Sequence, residues 1–342
     1  MAHEITSTDG LALHKTAAWH GLGTVIPDDF TPRQGLEHAN IDWGVEQRFV
    51  WTFDESGNRV LIPSVMANYR ADTRQFFGTV SAGYQVVQNW QMADFCEALL
   101  GVENGKVFCE SVGSIRGGAM VWFLLKGTGF QVGRNDLLYP YICVSNGHDG
   151  DTTFRITPAT IRVVCSNTLH AAVPGVDGGE RLGSSAMSIR HYGNIMERID
   201  EARKALLHYG ETLEKHKAVI NTLTGRAVDS AAVQKFFLES YTADFGDIPD
   251  NPTTRIEENR KNRALSAFSS FSRRFDDEKG IAGANYWNAL NSYTGVLQHD
   301  RKARGRDDED RVGRRVESNL FGLSQERTQA ALNRAYRAAL ST

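Results

Sequence analysis

The spacing of apolar residues changes near residue 190, and this change constrains the fold more than any single motif. Before it, short apolar runs such as 60–69 and 76–81 alternate with turn-rich segments, which is typical of paired β-strands. After it, apolar residues recur every three or four positions, which is typical of amphipathic helices. The chain is therefore predicted to be an α+β protein, with a twisted antiparallel β-sheet packed against long α-helices and a helical C-terminal half. We expect a β-rich core with an N-terminal arm over 1–190, and a helical region with a charged loop near 300–315 over 191–342.

The first region is predicted to contain mainly strands. After the pair at 60–69 and 76–81, a short helix from Trp90 to Leu100 ends at a glycine, Gly101. Four further strands are expected, joined by short turns in an antiparallel meander, at 106–115, 119–126, 137–145 and 152–165.

The second region is predicted to be a set of amphipathic helices. One long helix is expected over 194–223, and Asp229 is a candidate N-cap for the next. A third carries an apolar stripe from Ile256 to Phe275, a fourth covers 286–297 and a last one covers 325–340. The wide apolar faces of the first and third of these helices suggest a surface for self-association.

Composition excludes several classes of protein. With 342 residues, of which 41% are hydrophobic, the chain can fill a core of its own. A formal net charge of −3 argues against coating duplex DNA by bulk positive charge, so a nucleic-acid surface must be a local patch. No signal-peptide pattern and no run near the ~18 apolar residues of a membrane span is present, which predicts a cytoplasmic protein with no membrane partner.

The four cysteines indicate structural thiols. Cys96, Cys109, Cys143 and Cys165 form no Cys-x-x-Cys pair and lie in apolar contexts. Such residues are expected to be buried and reduced, with a raised thiol pKa, and to form neither disulfides nor a zinc site.

The turn NGHDGD at 146–151 is a candidate site because it gathers one histidine and two carboxylates. His148, Asp149 and Asp151 could in principle serve a metal, yet Asn-Gly and Asp-Gly form tight turns on their own account. Turn chemistry is the preferred interpretation. A substrate or nucleic-acid contact through His148 and Asp149 stays open, and no metal ligand is assigned.

A catalytic centre is not evident in the sequence. No serine lies in a Gly-x-Ser-x-Gly elbow, and no phosphate-binding loop is present. The segment 127–133 (GTGFQVG) resembles a dinucleotide fingerprint, but a strand pattern follows it where a helix is required, so a hairpin loop is the better interpretation. No catalytic residue and no cofactor is therefore predicted.

Basic residues suggest a nucleic-acid surface. Arginine cannot lose its charge, so Arg155 and Arg162, set inside an apolar β-branched strand, must meet a carboxylate, a phosphate or water. The third helix interleaves basic residues with phenylalanines, a combination that suits single-stranded nucleic acid, although core packing of the phenylalanines is the simpler alternative. The run 301–315 mixes both charges and is expected to be a solvated loop. The candidate nucleic-acid-binding residues are Arg155, Arg162, Arg116, Arg260, Lys261, Arg263, Arg273 and Arg274.

Several motifs in a fixed order resemble one family. These are WHGLG at 19–23, YQVV at 84–87, GG at 117–118 before VW at 121–122, SNGHDG at 145–150 and RVVCSNTL at 162–169. Together they are similar to the phage/plasmid-like proteins built on an uncharacterised domain, domain of unknown function 932. The resemblance extends from near residue 15 to the helix at 287–297, with Gly147 standing where the family is expected to have serine. It implies a phage or plasmid setting in a bacterial host cell.

The expected function follows from this setting and from the absence of a visible catalytic pair. A sheet backed by long helices fits a DNA-binding protein, with single-strand annealing or an accessory role in recombination or replication as the nearest analogy in fold. Single-stranded DNA is the expected partner, with self-association into a ring or filament. Two alternatives stay open: a non-catalytic interaction protein that inhibits or escorts a host factor, and a metal-dependent hydrolase or nuclease using His148, Asp149 and Asp151.

Overall fold

The computed structural model describes residues 9–15, 23–100, 107–132, 136–162, 168–170, 187–206, 209–300, 318 and 323–341. Residues 19–22 of the motif at 19–23, Cys165 and the charged segment 301–315 lie outside the described residues. The same holds for the side chain of Arg162, whose backbone is described.

The strands of the described residues are short at the N-terminus and long in the middle of the chain. They are β1 (Leu11–His14), β2 (Thr24–Ile26), β3 (Val45–Phe53), β4 (Arg59–Arg70), β5 (Phe76–Ser81), β6 (Phe108–Ile115), β7 (Met120–Lys126), β8 (Phe130–Val132), β9 (Asp136–Gly147), β10 (Phe154–Arg162), β11 (Thr168–His170) and β12 (Met187–Ile189).

These strands form two sheets. The larger has the order β11-β10-β9-β7-β6-β1-β2, with β12 paired to β10 and β8 to β9, while β3, β4 and β5 form a separate antiparallel sheet. The meander predicted from β6 to β10 is confirmed, since each strand pairs antiparallel with the next long one. The predicted pair at 60–69 and 76–81 is confirmed as β4 with β5. The parallel pair of β1 with β2, the strand β3 and the separation of β3, β4 and β5 from the large sheet were not predicted, because the sheet that a strand joins is decided only when the chain packs.

The helices of the described residues include two that begin at clear N-caps. They are α1 (Pro32–His38), α2 (Asn89–Leu100), α3 (Ile195–Leu206), α4 (Tyr209–Thr224), α5 (Ser230–Phe245), α6 (Arg255–Ala282), α7 (Tyr286–Gly295), which continues as a π-turn at Val296–Asp300, and α8 (Leu323–Ser341). The predicted N-cap is confirmed, since the Asp229 side chain accepts from Ala232 N at 2.8 Å. A capping box of Thr254 and Glu257 begins α6. Helices α3 and α4 cover the segment predicted as one helix. The mixed α+β fold with a helical C-terminal half is thus confirmed.

Two apolar cores hold these elements. One lies between the large sheet and α1, α2 and α3, and includes Phe123 and Phe154. The other lies among α4 to α8 and reaches the sheet through Val132 and Leu138. At this junction Trp287 Nε1 of α7 donates to Asp136 Oδ2 at 2.8 Å, at the start of β9. The predicted division at residue 190 itself stays a prediction.

Burial of the cysteines and of the phenylalanine stripe confirms the structural interpretation of both. Cys96, Cys109 and Cys143 are buried, and burial raises the pKa of the Cys143 thiol to about 12. Phe271 and Phe275 of α6 are buried against Phe237 of α5, with ring centroids 5.2 and 6.5 Å away. Phe271 and Phe275 are therefore core residues and offer no stacking platform, whereas Ile256 and Leu265 of the same predicted stripe are exposed. Self-association through this face stays a prediction.

Candidate nucleic-acid interface

A groove runs along the outer side of α6. It has a volume of about 710 Å³ and lies between α6, the last turns of α5 and the π-turn that follows α7. Its lining includes basic, acidic, aromatic and hydroxyl side chains: Tyr241, Phe245, Arg260, Arg263, Ser270 and Asp300.

Helical spacing explains which basic residues of α6 face the groove. Arg260 and Arg263 are three positions apart, and Ala267, Ser270 and Phe271 continue the same face one and two turns later. The apolar members of this face turn toward α5 and α7, whereas the two arginines near the start of α6 are exposed. The groove therefore carries its positive charge at the N-terminal end of α6.

An aromatic wall lies opposite this charge. Tyr241 and Phe245, one turn apart on α5, have ring centroids 4.9 Å apart. Tyr241 is buried, so the half-buried Phe245 is the more accessible ring of this wall. The Arg327 guanidinium of α8 lies 4.3 Å from the centroid of the Phe245 ring, and donates to Asp244 O at 2.8 Å. A guanidinium over an aromatic face is held by cation–π attraction, so Arg327 adds a third positive group beside the wall.

The acidic side chain among the lining residues is neutralised. Asp300 accepts from both Nε and NH2 of Arg274, and these hydrogen bonds hold the pKa of the Asp300 carboxyl below its ordinary value. The nearby Asp244 carboxylate is bonded to Tyr293 Oη at 2.6 Å and Arg334 NH2 at 3.3 Å. Arg260 and Arg263 thus dominate the local charge, in a protein whose net charge is −3.

The other predicted basic residues of α6 lie off the groove. Lys261 donates to Asp250 O, which ties it to the loop that precedes the helix. Arg273 is exposed on a neighbouring side and adds to the attraction on Asp300. Arg274 sits at the rim within its pair with Asp300. The cluster predicted as one patch is therefore divided around the helix.

The predicted arginines of the sheet lie at different points of β10. Arg155 lies opposite Ser145 and Arg162 opposite Leu138, in an unbroken register. The two positions are seven residues apart along the strand. Arg116, in a left-handed turn after β6 with φ of 59°, pairs with Asp149 at 3.5 Å.

Arg155 lies far along the sheet from the contact between α7 and β9. Ser145, which pairs with Arg155, is nine residues along β9 from Asp136, where α7 meets the sheet. At ~3.3 Å per residue this is about 30 Å. The backbone of Arg162, opposite Leu138, lies near the end of β9 that meets the helices.

The candidate His148 is a core residue. It is fully buried, its ring stacks on Phe77 with centroids 5.6 Å apart, and Nε2 lies 3.0 Å from Asn89 Oδ1. Because Asn89 Nδ2 already donates to Ile41 O and Trp43 O, its Oδ1 must accept from His148. Burial, assisted by repulsion from His191, lowers the pKa of His148 to about 3.

The candidate Asp149 holds the turn together. Its Oδ1 accepts from the backbone N of Asp151 and Thr152 at 3.0 Å each, and Oδ2 accepts from Thr152 Oγ1 at 3.2 Å. Gly150 follows with φ of 92°, a conformation that favours glycine. Within the part of the chain that the structure describes, no group of three or more His, Cys, Asp or Glu side chains is placed to hold a metal ion. These contacts support the turn interpretation.

Two residues of the interface escaped sequence reasoning. Phe245 and Arg327 belong to different helices, and nothing in either local pattern indicates that they meet. The only available signal was an aromatic residue, Phe245, at the end of a predicted helix.

The fold and the groove together define a mixed α+β protein with a basic groove walled by aromatic residues. The family described as Domain of unknown function (DUF932) matches residues 76–320, and the chain belongs to that family. The matched segment includes most of the large sheet and both helices, α5 and α6, that border the groove. No curated protein and no solved structure matches the chain significantly. None of the described helices is long and apolar enough to cross a membrane.

Proposed function

We propose that this protein binds single-stranded DNA in the groove beside α6, as an accessory of phage or plasmid recombination or replication, with single-strand annealing as its preferred role. The observation that carries this proposal is the placement of Arg260 and Arg263 opposite the wall of Tyr241 and Phe245. The neutralised Asp300 leaves the positive charge of this groove unopposed.

A single strand suits this arrangement better than a duplex. It offers phosphates to guanidinium groups and unstacked bases to aromatic edges in the same short segment. A duplex hides its base faces and is held by many phosphate contacts, which a chain of net charge −3 supplies only locally. The exposed Arg260 and Arg263 would hold phosphates, and the end of α5 would support a base.

A single groove holds only a short segment of a strand. Annealing requires a strand to be held over many nucleotides, so we extend the proposal to a homo-oligomer, a ring or filament that aligns several grooves. The compartment proposed is the cytoplasm of a bacterial host cell.

Salt-dependent binding of a labelled oligonucleotide tests the site. In the Arg260→Ala/Arg263→Ala variant the slope of log K against log salt should fall by about one per arginine, because each lost phosphate contact releases fewer counterions. Lys235→Ala is the matched control, since Lys235 is an exposed helix cation in a 3.9 Å pair with Glu239, outside the groove. Its slope should equal that of the native chain.

Two results would contradict this proposal, one for the function and one for the location of the binding site. Absence of binding by the native chain at low salt would favour the interaction protein that inhibits or escorts a host factor. An unchanged slope in the double variant, with binding intact, would transfer the site to the sheet arginines.

A further inference from the structure

The small sheet ends in a two-stranded projection. Strand β5 pairs with β4 only from Val65 to Tyr69, so the rest of the β3–β4 hairpin has no third strand. The register of β3 against β4 shifts between Phe49 and Val50, and the pairing then continues to Phe53 opposite Arg59. We call residues 49–62 the hairpin tip.

Large apolar side chains cover the hairpin tip. Phe49, Trp51 and Phe53 alternate along β3 and therefore share one face, where they are 63%, 41% and 72% exposed. Leu61 lies opposite Trp51 on the same face, and Val60 is exposed on the other. A soluble chain rarely leaves so continuous an aromatic row in water without a partner surface.

The outer edge of β3 is open along the hairpin tip. At its root, Gln88 caps the edge, since Val45 N donates to Gln88 Oε1 at 2.8 Å and Gln88 Nε2 donates to Val45 O at 2.9 Å. From Gln47 to Phe53, no strand other than β4 pairs with β3 among the described residues. The unpaired N–H and C=O groups of such an edge are a template for another strand.

The sequence of this edge lacks the usual protection against strand pairing. The span 47–53 (QRFVWTF) contains no lysine and no proline, and its single charge, Arg48, is paired with Glu46 at 2.8 Å. From Phe49 to Phe53 the strand itself carries no charge. A cation of the hairpin tip, Arg59 of β4, lies with its guanidinium 4.3 Å from the centroid of the Trp51 ring.

We infer that two copies of this chain associate by pairing their β3 edges antiparallel about Val50. The open span 47–53 has Val50 at its centre, so a two-fold axis there uses the whole edge of both copies. In this register Phe49 of each copy lies opposite Trp51 of the other, and Arg48 lies opposite Thr52. The aromatic pairs stabilise the contact, and no like charges face each other.

The available area is sufficient for a dimer. An aromatic side chain offers ~150–250 Å², so the exposed fractions of Phe49, Trp51 and Phe53 amount to roughly 250–450 Å². This is about a third to a half of the ~800 Å² that each partner buries in a stable interface, and Leu61, Val50 and the paired backbone add to it. A contact of this kind closes a dimer, so a ring or filament needs a second, different contact.

A cysteine at the proposed axis gives a direct test. Val50→Cys should form an interchain disulfide under mild oxidation, because antiparallel partners have Cα atoms ~4.5–5.5 Å apart, within disulfide range. Val60→Cys is the matched control, an exposed valine on β4 of the same hairpin tip that lies away from the axis. The buried Cys96, Cys109 and Cys143 do not compete, and the native chain is the blank. Equal cross-linking of both variants, or of neither, would overturn the register.

A measurement of molecular mass tests the contact without cross-linking. Native chain at micromolar concentration should scatter light as a dimer or larger, and Trp51→Lys should lower its mass by half or more, with the circular dichroism unchanged because the hairpin tip lies outside both cores. A native monomer, or a variant of unchanged mass, would rule out this contact. Oligonucleotide binding by the folded variant reports separately on the groove, so either idea can fail alone.

Discussion

Arg274 and Asp300 form a bidentate ion pair at the rim of the groove. Arg274 Nε donates to Oδ2 at 2.8 Å and NH2 donates to Oδ1 at 2.7 Å. The guanidinium also lies against Gly295, where an added Cβ would meet NH1 at 2.8 Å. Arg274 thereby neutralises a carboxylate that would otherwise repel phosphate. Substitution of either partner should therefore change the net charge of the groove.

Asp300→Asn should strengthen DNA binding. The substitution leaves Arg274 without its counter-charge, so the slope of log K against log salt should steepen by up to about one. Arg274→Ala should act in the opposite direction, because it leaves Asp300 negative beside the groove. The loss of stability should stay near ~1 kcal/mol for this partly exposed pair. If both variants shift binding in the same direction, the pair does not control the groove.

Arg162→Ala decides between two roles for this residue. If Arg162 contacts a phosphate, the substitution should lower the slope of log K against log salt by about one, with folding intact. As the partner of a buried carboxylate, its loss should cost about 3–5 kcal/mol of unfolding free energy. Titration with oligonucleotide and denaturant unfolding of the same sample separate these outcomes. Arg155→Ala, seven residues earlier on β10, is the companion variant.

Divalent metals should leave the melting temperature unchanged. An ion that binds only the native state would raise the melting temperature by mass action. However, His148 is buried, and the Asp149 carboxylate already accepts hydrogen bonds within the turn. Differential scanning calorimetry with magnesium, manganese or zinc checks this. Asp149→Ala should instead destabilise the chain by about 0.5–1.5 kcal/mol without any metal, because the exposed Asp151 N and the half-buried Thr152 donors lose their acceptor. A metal-induced rise that vanishes in this variant would restore the nuclease alternative.

Stability should fall as pH drops below the ordinary pKa of histidine. Burial lowers the pKa of His148 from 6.5 to about 3 and also lowers that of His191. As pH falls, the unfolded chain therefore binds protons on these histidines that the native state does not bind. The stability present above pH ~6.5 is lost progressively as pH falls toward the native pKa. From about pH 7.5 to about pH 5.5 the loss should reach about 1.4 kcal/mol for His148.

His148→Gln isolates this effect from the other titrating groups. The glutamine amide can still donate to Asn89, and it carries no titratable proton. Denaturant unfolding at the two pH values should give a smaller loss for the variant, even though its packing against Phe77 is poorer at both. An equal loss in variant and native chain would mean that His148 does not set the acid sensitivity.

Local pattern determined most of the elements from residue 60 onward. The change of period near residue 190 predicted strands followed by helices, and Asp229 predicted the start of α5, because both signals depend on contacts within a few residues. The interpretation of Phe271 and Phe275 as core follows from the same helical spacing. The family was also readable from motifs in order, since those motifs are short and local.

Tertiary structure alone decided which of the predicted site residues could act together. It turned Arg260 and Arg263 to the groove, tied Lys261 to a loop and buried His148. It also brought Arg327 onto Phe245 from a separate helix. Periodicity states which face of an element is apolar, but not which distant surface will cover it. Burial, ion pairing and the open edge of β3 depend on that second choice, which is made only when the whole chain packs.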